Sequence, residues 1–132
     1  MYASIGNDGD IGAGTRIGED SSIGNGFVVG TNVVIGKNTI IGDSVAIDDM
    51  SSVAKDSTIG NNVIVGDNVS IAKETLIEDA VFVGDGSTIN KGAVIETAAN
   101  LGVNVTVGKS ATISAGATVP DDTVVPQETT FP

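Results

Sequence analysis

The sequence predicts an all-β fold in which one chain winds into a triangular solenoid of short parallel strands. Three observations carry that expectation. From Ile5 to Phe131 an apolar residue returns every six places, and the register never slips. All five lysines (Lys37, Lys55, Lys73, Lys91 and Lys109) stand eighteen apart, so three hexads form one larger period. Around each apolar residue the neighbours are of fixed kinds that either pack or turn.

Each place in the hexad has a physical role. The periodic residue, as at Ile35, Ile41, Ile47, Val53 and Ile59, points inward. The residue two earlier is small or β-branched, as at Ser21, Val33, Thr39 and Val45. Two inward places separated by one outward place is strand alternation. The residue after is usually Gly or Ala, and the third after is commonly Asn, Gly or Asp, as at Asn32, Asn38, Asn62 and Asn68. Those types reach positive φ at low cost and suit a corner. Three strands and three corners make a coil, and residues 1–132 make one domain of about seven uninterrupted coils. No hexad is broken by a loop, and no helix is expected after the last coil.

Local details fit stacked coils. Phe27 takes an inward place where Thr, Ser or Val is usual, and Gly9, one coil earlier, leaves room for its ring. Pro120, Pro126 and Pro132 follow inward residues on each of the three faces. Proline has no N–H for a ladder, so these blunt a sheet edge. The length is a whole number of hexads, so end-to-end assembly, Pro132 handing over to Met1, is conceivable; the prolines disfavour it.

Composition narrows the function. Hydrophobic residues make up 40% of the chain and aromatics only 3%, which suits a narrow stack of Ile and Val. Net charge is −11, which argues against nucleic-acid and anionic-membrane binding. With no cysteine and no histidine there is no thiolate nucleophile and no Cys- or His-based metal site, so no metal is assigned. No apolar run has the ~20 residues a membrane helix needs. The start, MYASIGNDGDIG, does not read as a signal peptide, and a cytoplasmic location is the default expectation.

Outward residues recur every eighteen and give the three faces different chemistry. The first face carries Val28, Ala46, Ile64 and Phe82, an apolar column suited to a partner. The second carries Ser52, Ser70, Thr88 and Thr106 and ends at the lysine column on its corner. The third adds Ile40, Leu76 and Val94, which suit the other side of the same contact. The plain account of the lysines is local neutralisation, since Asp56 and Glu74 directly follow Lys55 and Lys73. The functional account is an anion-binding rail for phosphates or an acidic partner.

The hexad pattern resembles the hexapeptide-repeat family across the whole chain. That resemblance implies a left-handed parallel β-helix, against the usual right-handed crossover, and a homotrimer. The stretch Asn68-Val69-Ser70-Ile71, then Glu78-Asp79-Ala80-Val81-Phe82-Val83-Gly84, is similar to nucleotide-sugar N-acetyltransferases of that family. Leu101-Gly102-Val103-Asn104 resembles a later coil of the same enzymes. Asn68 would then orient an acceptor, and a carboxylate such as Glu78 or Glu96, or a lysine with a lowered pKa, would have to serve as base, with acetyl-CoA as cofactor. The departures are specific. Gly86 to Ala93 runs straight on where those enzymes carry a loop, and the histidine used by many family acyltransferases is missing. The three histidines of the family's carbonic anhydrases are missing too.

Two functions are therefore expected. The first is a structural or interaction scaffold, natural or engineered, without catalysis or cofactor and self-associating. The alternative is an acetyl-CoA-dependent N-acyltransferase acting on a nucleotide-linked amino sugar.

Overall fold

The structure, a computed structural model, describes residues 3–132. Every hexad contributes one two-residue strand, from Ser4–Ile5 to Thr130–Phe131. The strands sort into three parallel sheets, of eight, seven and seven strands. Each strand pairs with those eighteen residues away: Ile64 stands beside Ala46 and Phe82, and Val65 beside Ile47 and Val83. Paired side chains of one column therefore touch along the axis, which the eighteen-residue reading requires. The expected solenoid of about seven coils is what the chain forms. Met1, on which the end-to-end register depends, lies outside the described residues.

The core is a single column of aliphatic side chains. From Ile23 to Val125 every periodic residue is buried, Ile47, Ile77, Ile89 and Ile95 completely. Ile5 and Ile11 depart from the expected pattern and are 45% and 41% exposed, because a coil covers them from one side only. From Ser21 to Ala117 the places two before are buried as well, and their hydroxyls are satisfied between coils. Ser51 Oγ donates to the Gly66 carbonyl at 2.6 Å and accepts from the Val69 amide at 3.0 Å. Ser87 does the same with Gly102 and Val105. Among the described residues no buried side-chain polar atom lacks a partner, as a tightly packed core demands.

The corners are all built alike. The third residue after each inward one has positive φ in every coil, Asp8 through Glu128. Asn, Asp and Gly were expected there. Met50, Ala80 and Ala98 hold the same conformation at φ 60°, 61° and 63°, so the stack imposes it on residues that disfavour it. Gly9 and Phe27 behave as expected: a Cβ on Gly9 would fall within the Phe27 ring.

The prolines occupy a definite donor position. The residue after each inward one donates its N–H to the coil above, Gly102 to Val119, Gly108 to Val125 and Ser114 to Phe131. Pro120, Pro126 and Pro132 stand at that position and carry no donor there. Among the described residues no helix is long and apolar enough to cross a membrane.

Candidate functional site

An apolar band and a basic corner are the two features of this surface that chemistry can use. The band lies on the first and third faces, which share a corner. On the first face Val28, Ala46, Ile64 and Phe82 are aligned in paired strands. Ile64 is 46% and Phe82 42% exposed, and Ile40, at 55%, and Leu76 are exposed on the third face. Val94 is half-buried beside Leu76. From residue 22 to residue 118 neither outward column contains a charge.

The three corners share a backbone but not their chemistry. At the corner between the third and first faces, the Asn25 amide donates to Asp43 Oδ1, Asp43 to Asn61 Oδ1 and Asn61 to Asp79 Oδ1, all at 2.8 Å. At the corner between the first and second faces, Thr31, Asp49 and Asp67 donate to Asp49, Asp67 and Asp85. These are two side-chain ladders, each tying a coil to the one above. At the third corner the same position belongs to Lys37, Lys55, Lys73, Lys91 and Lys109. An ammonium cannot accept. Among the described residues the amides of Lys37 to Lys109 have no protein acceptor. Sequence reasoning saw the lysine column and missed the ladders, although Asn/Asp recurrence at eighteen places was their signal.

The lysine column is not uniform. Its neighbouring column runs Asp20, Asn38, Asp56, Glu74, Gly92, Ser110, so acids accompany the lower lysines. Lys91 Nζ pairs with Glu74 at 3.8 Å, both half exposed, a contact of small energetic weight. Beside Lys91 and Lys109 the surface opens into a shallow depression of about 530 Å³, lined also by Asn90, Thr106, Val124 and Gln127. No acidic residue lines it.

Asn68 and Glu78 stand on two different corners, one at each side of the first face. Asn68 is a corner residue at φ 57°, and its amide donates to the Asp49 carbonyl. Glu78 Oε1 accepts from the amide and the hydroxyl of Thr97 at 2.9 and 3.0 Å. Glu96 accepts the Ala115 amide in the same way. Each has a structural occupation, and the fold does not bring Asn68 and Glu78 together. The perturbed carboxyl lies elsewhere. Asp48, which takes a place held by glycine in most coils, is exposed by area but still partly desolvated against its corner. That desolvation, then the charges of Asp67, Asp49 and Asp85, push its pKa above the ordinary 3.8. Among the described residues no cluster of His, Cys, Asp or Glu is arranged to hold a metal ion.

Several solved structures share this architecture. A hexapeptide transferase family protein from Anaplasma phagocytophilum superposes with a TM-score of 0.64 at 14% identity, over 93% of this chain and 74% of that one. A Bacillus cereus protein assigned as an acetyltransferase gives 0.56 at 22% identity, over 98% and 78%. The polySia-specific acetyltransferase NeuO gives 0.56 at 17%, over 94% and 74%. At these identities the likeness is one of fold, the hexapeptide-transferase β-solenoid. None of the curated proteins matches the sequence. Residues 42–129 match the model of the GMPPB C-terminal domain, a left-handed β-helix domain, and the chain belongs to that family.

Proposed function

We propose that the chain is a self-associating solenoid scaffold, a homotrimer in the favoured state, which does its work by assembly and not by catalysis. One observation carries this reading: the first and third faces expose Val28, Ile64, Phe82, Ile40 and Leu76 in two outward columns that hold no charge from residue 22 to residue 118, in a chain of net charge −11. In a closed trimer the first face of one copy meets the third face of the next, so each contact pairs the two apolar columns, while the carboxylates at the corner between those faces (Asp43, Glu78, Asp79 and Glu96) oppose it. The occupant proposed for the band is therefore a second copy of the chain. The unbroken hexads, with no loop to wall a pocket, support the same reading. So does a family named for a C-terminal domain, a part within a larger protein. The test is light scattering on the wild-type chain and on Ile64→Asp. An assembly that falls to monomer with Ile64→Asp is expected. A wild-type monomer at ~100 μM would overturn the proposal.

A second reading has its own support. The segment from Asn68 to Gly84 resembles nucleotide-sugar N-acetyltransferases, and acetyltransferases stand among the structural neighbours. Under it the chain transfers an acetyl group from acetyl-CoA to a nucleotide-linked amino sugar; Asn68 and Glu78, on separate corners, cannot both meet the acceptor from the same copy. A thermal-shift series with acetyl-CoA, CoA and nucleotide sugars separates the two. Stabilisation by acetyl-CoA favours the transferase; indifference to every ligand leaves the scaffold.

A further inference from the structure

We propose that the depression beside Lys91 and Lys109 is a binding site for a phosphate monoester. The argument begins with what the other two corners do. There the chain supplies its own oxygen to most corner amides, from Asp43, Asn61 and Asp79 on one and from Asp49, Asp67 and Asp85 on the other, although the amides of Asp79 and Asp85 themselves have no acceptor among the described residues. At the lysine corner it supplies an ammonium instead, and the amides of Lys91 and Lys109 keep no protein acceptor among the described residues. Donors of both kinds, main-chain N–H and side-chain N–H⁺, thus collect in one column, where Lys91 Nζ has the 3.8 Å contact with Glu74 and Lys109 Nζ has no ion-pair partner among the described residues. An oxyanion supplies what that column lacks.

The position within the column follows from the acids. Lower down, Asp20, Asp56 and Glu74 accompany the lysines and compete with any incoming anion. Beside Lys109 the corresponding places are Gly92 and Ser110, and Lys109 has no ion-pair partner among the described residues. Here alone the depression adds neutral polar groups, Asn90, Thr106 and Gln127, around the two ammoniums. Asn90 Nδ2 donates to the Val107 carbonyl at 2.9 Å, which fixes the side chain. On the other side Val124, 68% exposed, forms an apolar wall. The volume of about 530 Å³ exceeds what inorganic phosphate fills, so the geometry suits a phosphate carrying an organic body against that wall. Two carboxylates of the neighbouring column limit affinity: Glu74, which contacts Lys91 Nζ at 3.8 Å, and Glu128, one coil above Ser110.

The test is an amide-resolved NMR titration of the full chain with inorganic phosphate and with phenyl phosphate. Both are expected to shift the amides of Lys91, Thr106, Lys109 and Gln127, with phenyl phosphate the tighter because Val124 meets its ring. Lys109→Gln is expected to weaken binding about tenfold or more, and Glu128→Gln to tighten it. Lys37→Gln, at the acid-rich end, is the control and should leave affinity unchanged. Shifts spread evenly over all five lysines, or equal losses from Lys37→Gln and Lys109→Gln, would replace the site by a diffuse rail and overturn the proposal. Equal affinity for the two probes would overturn its ester part. No shift with either at ~10 mM would overturn it entirely.

Discussion

The side-chain ladders make a quantitative prediction at Asp67. Its Oδ1 accepts the Asp49 amide at 3.0 Å, and its own amide donates to Asp85 at 2.9 Å. Asp67→Ala removes the first bond and keeps the second. The released amide lies at an exposed corner, so water takes it and the loss is the net value of one bond, about 0.5–1.5 kcal/mol. Comparison with wild type alone would confuse that bond with relief of repulsion, because Asp67 stands near Asp48 and Asp85. Asp67→Asn separates the two effects: it removes the charge and keeps an oxygen, and Asn61 already fills this role at a neighbouring corner. Asp67→Ala should therefore be less stable than Asp67→Asn by about 0.5–1.5 kcal/mol at both pH 7 and pH 3, or roughly 2–6 °C in Tm for a chain this size. Stacked coils can open locally, so amide exchange at Asp49 is the direct assay; it should accelerate in the alanine variant and not in the asparagine one. Equal exchange at Asp49 in the two variants would refute the claim that the ladder ties coils together.

Other expectations follow from single places in the coil. The raised Asp48 pKa means the folded chain holds that proton longer than the unfolded chain. Its contribution is full below pH 3.8 and is lost as pH rises through the raised value, so Asp48→Asn should be stabilising at pH 7 and neutral near pH 3, read by thermal melts. Ala80, at φ 61°, strains a corner, and Ala80→Gly should gain about 0.4–1 kcal/mol by urea denaturation; a loss would show that the conformation is not strained. Gly9→Ala should destabilise by about 1–3 kcal/mol through the Phe27 ring, and Phe27→Val in the same chain should remove most of that penalty.

The interior was legible in the sequence because one rule governs it. Inward residues must be apolar or satisfied, and a period of six admits no exceptions without a gap in the stack. Phe27 and Gly9 were readable for the same reason, since an oversized ring needs a compensating absence one coil away. The exterior was legible only column by column. The apolar run from Val28 to Phe82 and the lysines stood out because like residues repeat. The ladders did not stand out: Asn and Asp at a corner read first as residues that tolerate positive φ. In fact the residue with positive φ, such as Asn62, and the residue that bonds upward, such as Asn61, are neighbours with different tasks. The same six-residue register sets Asn68 and Glu78 on separate corners, since ten residues carry the chain across two faces, through Ser70–Ile71 and Leu76–Ile77.

That separation bears on what this surface can do. A coil of eighteen residues commits six to the core and gives three to positive φ, and what remains is arranged in straight columns. Columns suit repetitive chemistry, such as a band for another copy or a row of donors. They suit a catalytic constellation poorly, because groups of different kinds must converge on one point. Two columns meet side by side only where a corner joins its neighbouring face. On the first and third faces the result is apolar. At the lysine corner two ammoniums, three neutral polar side chains and an apolar wall surround a single depression. If this chain recognises a small molecule without help from another subunit, the fold leaves that corner as the place to look.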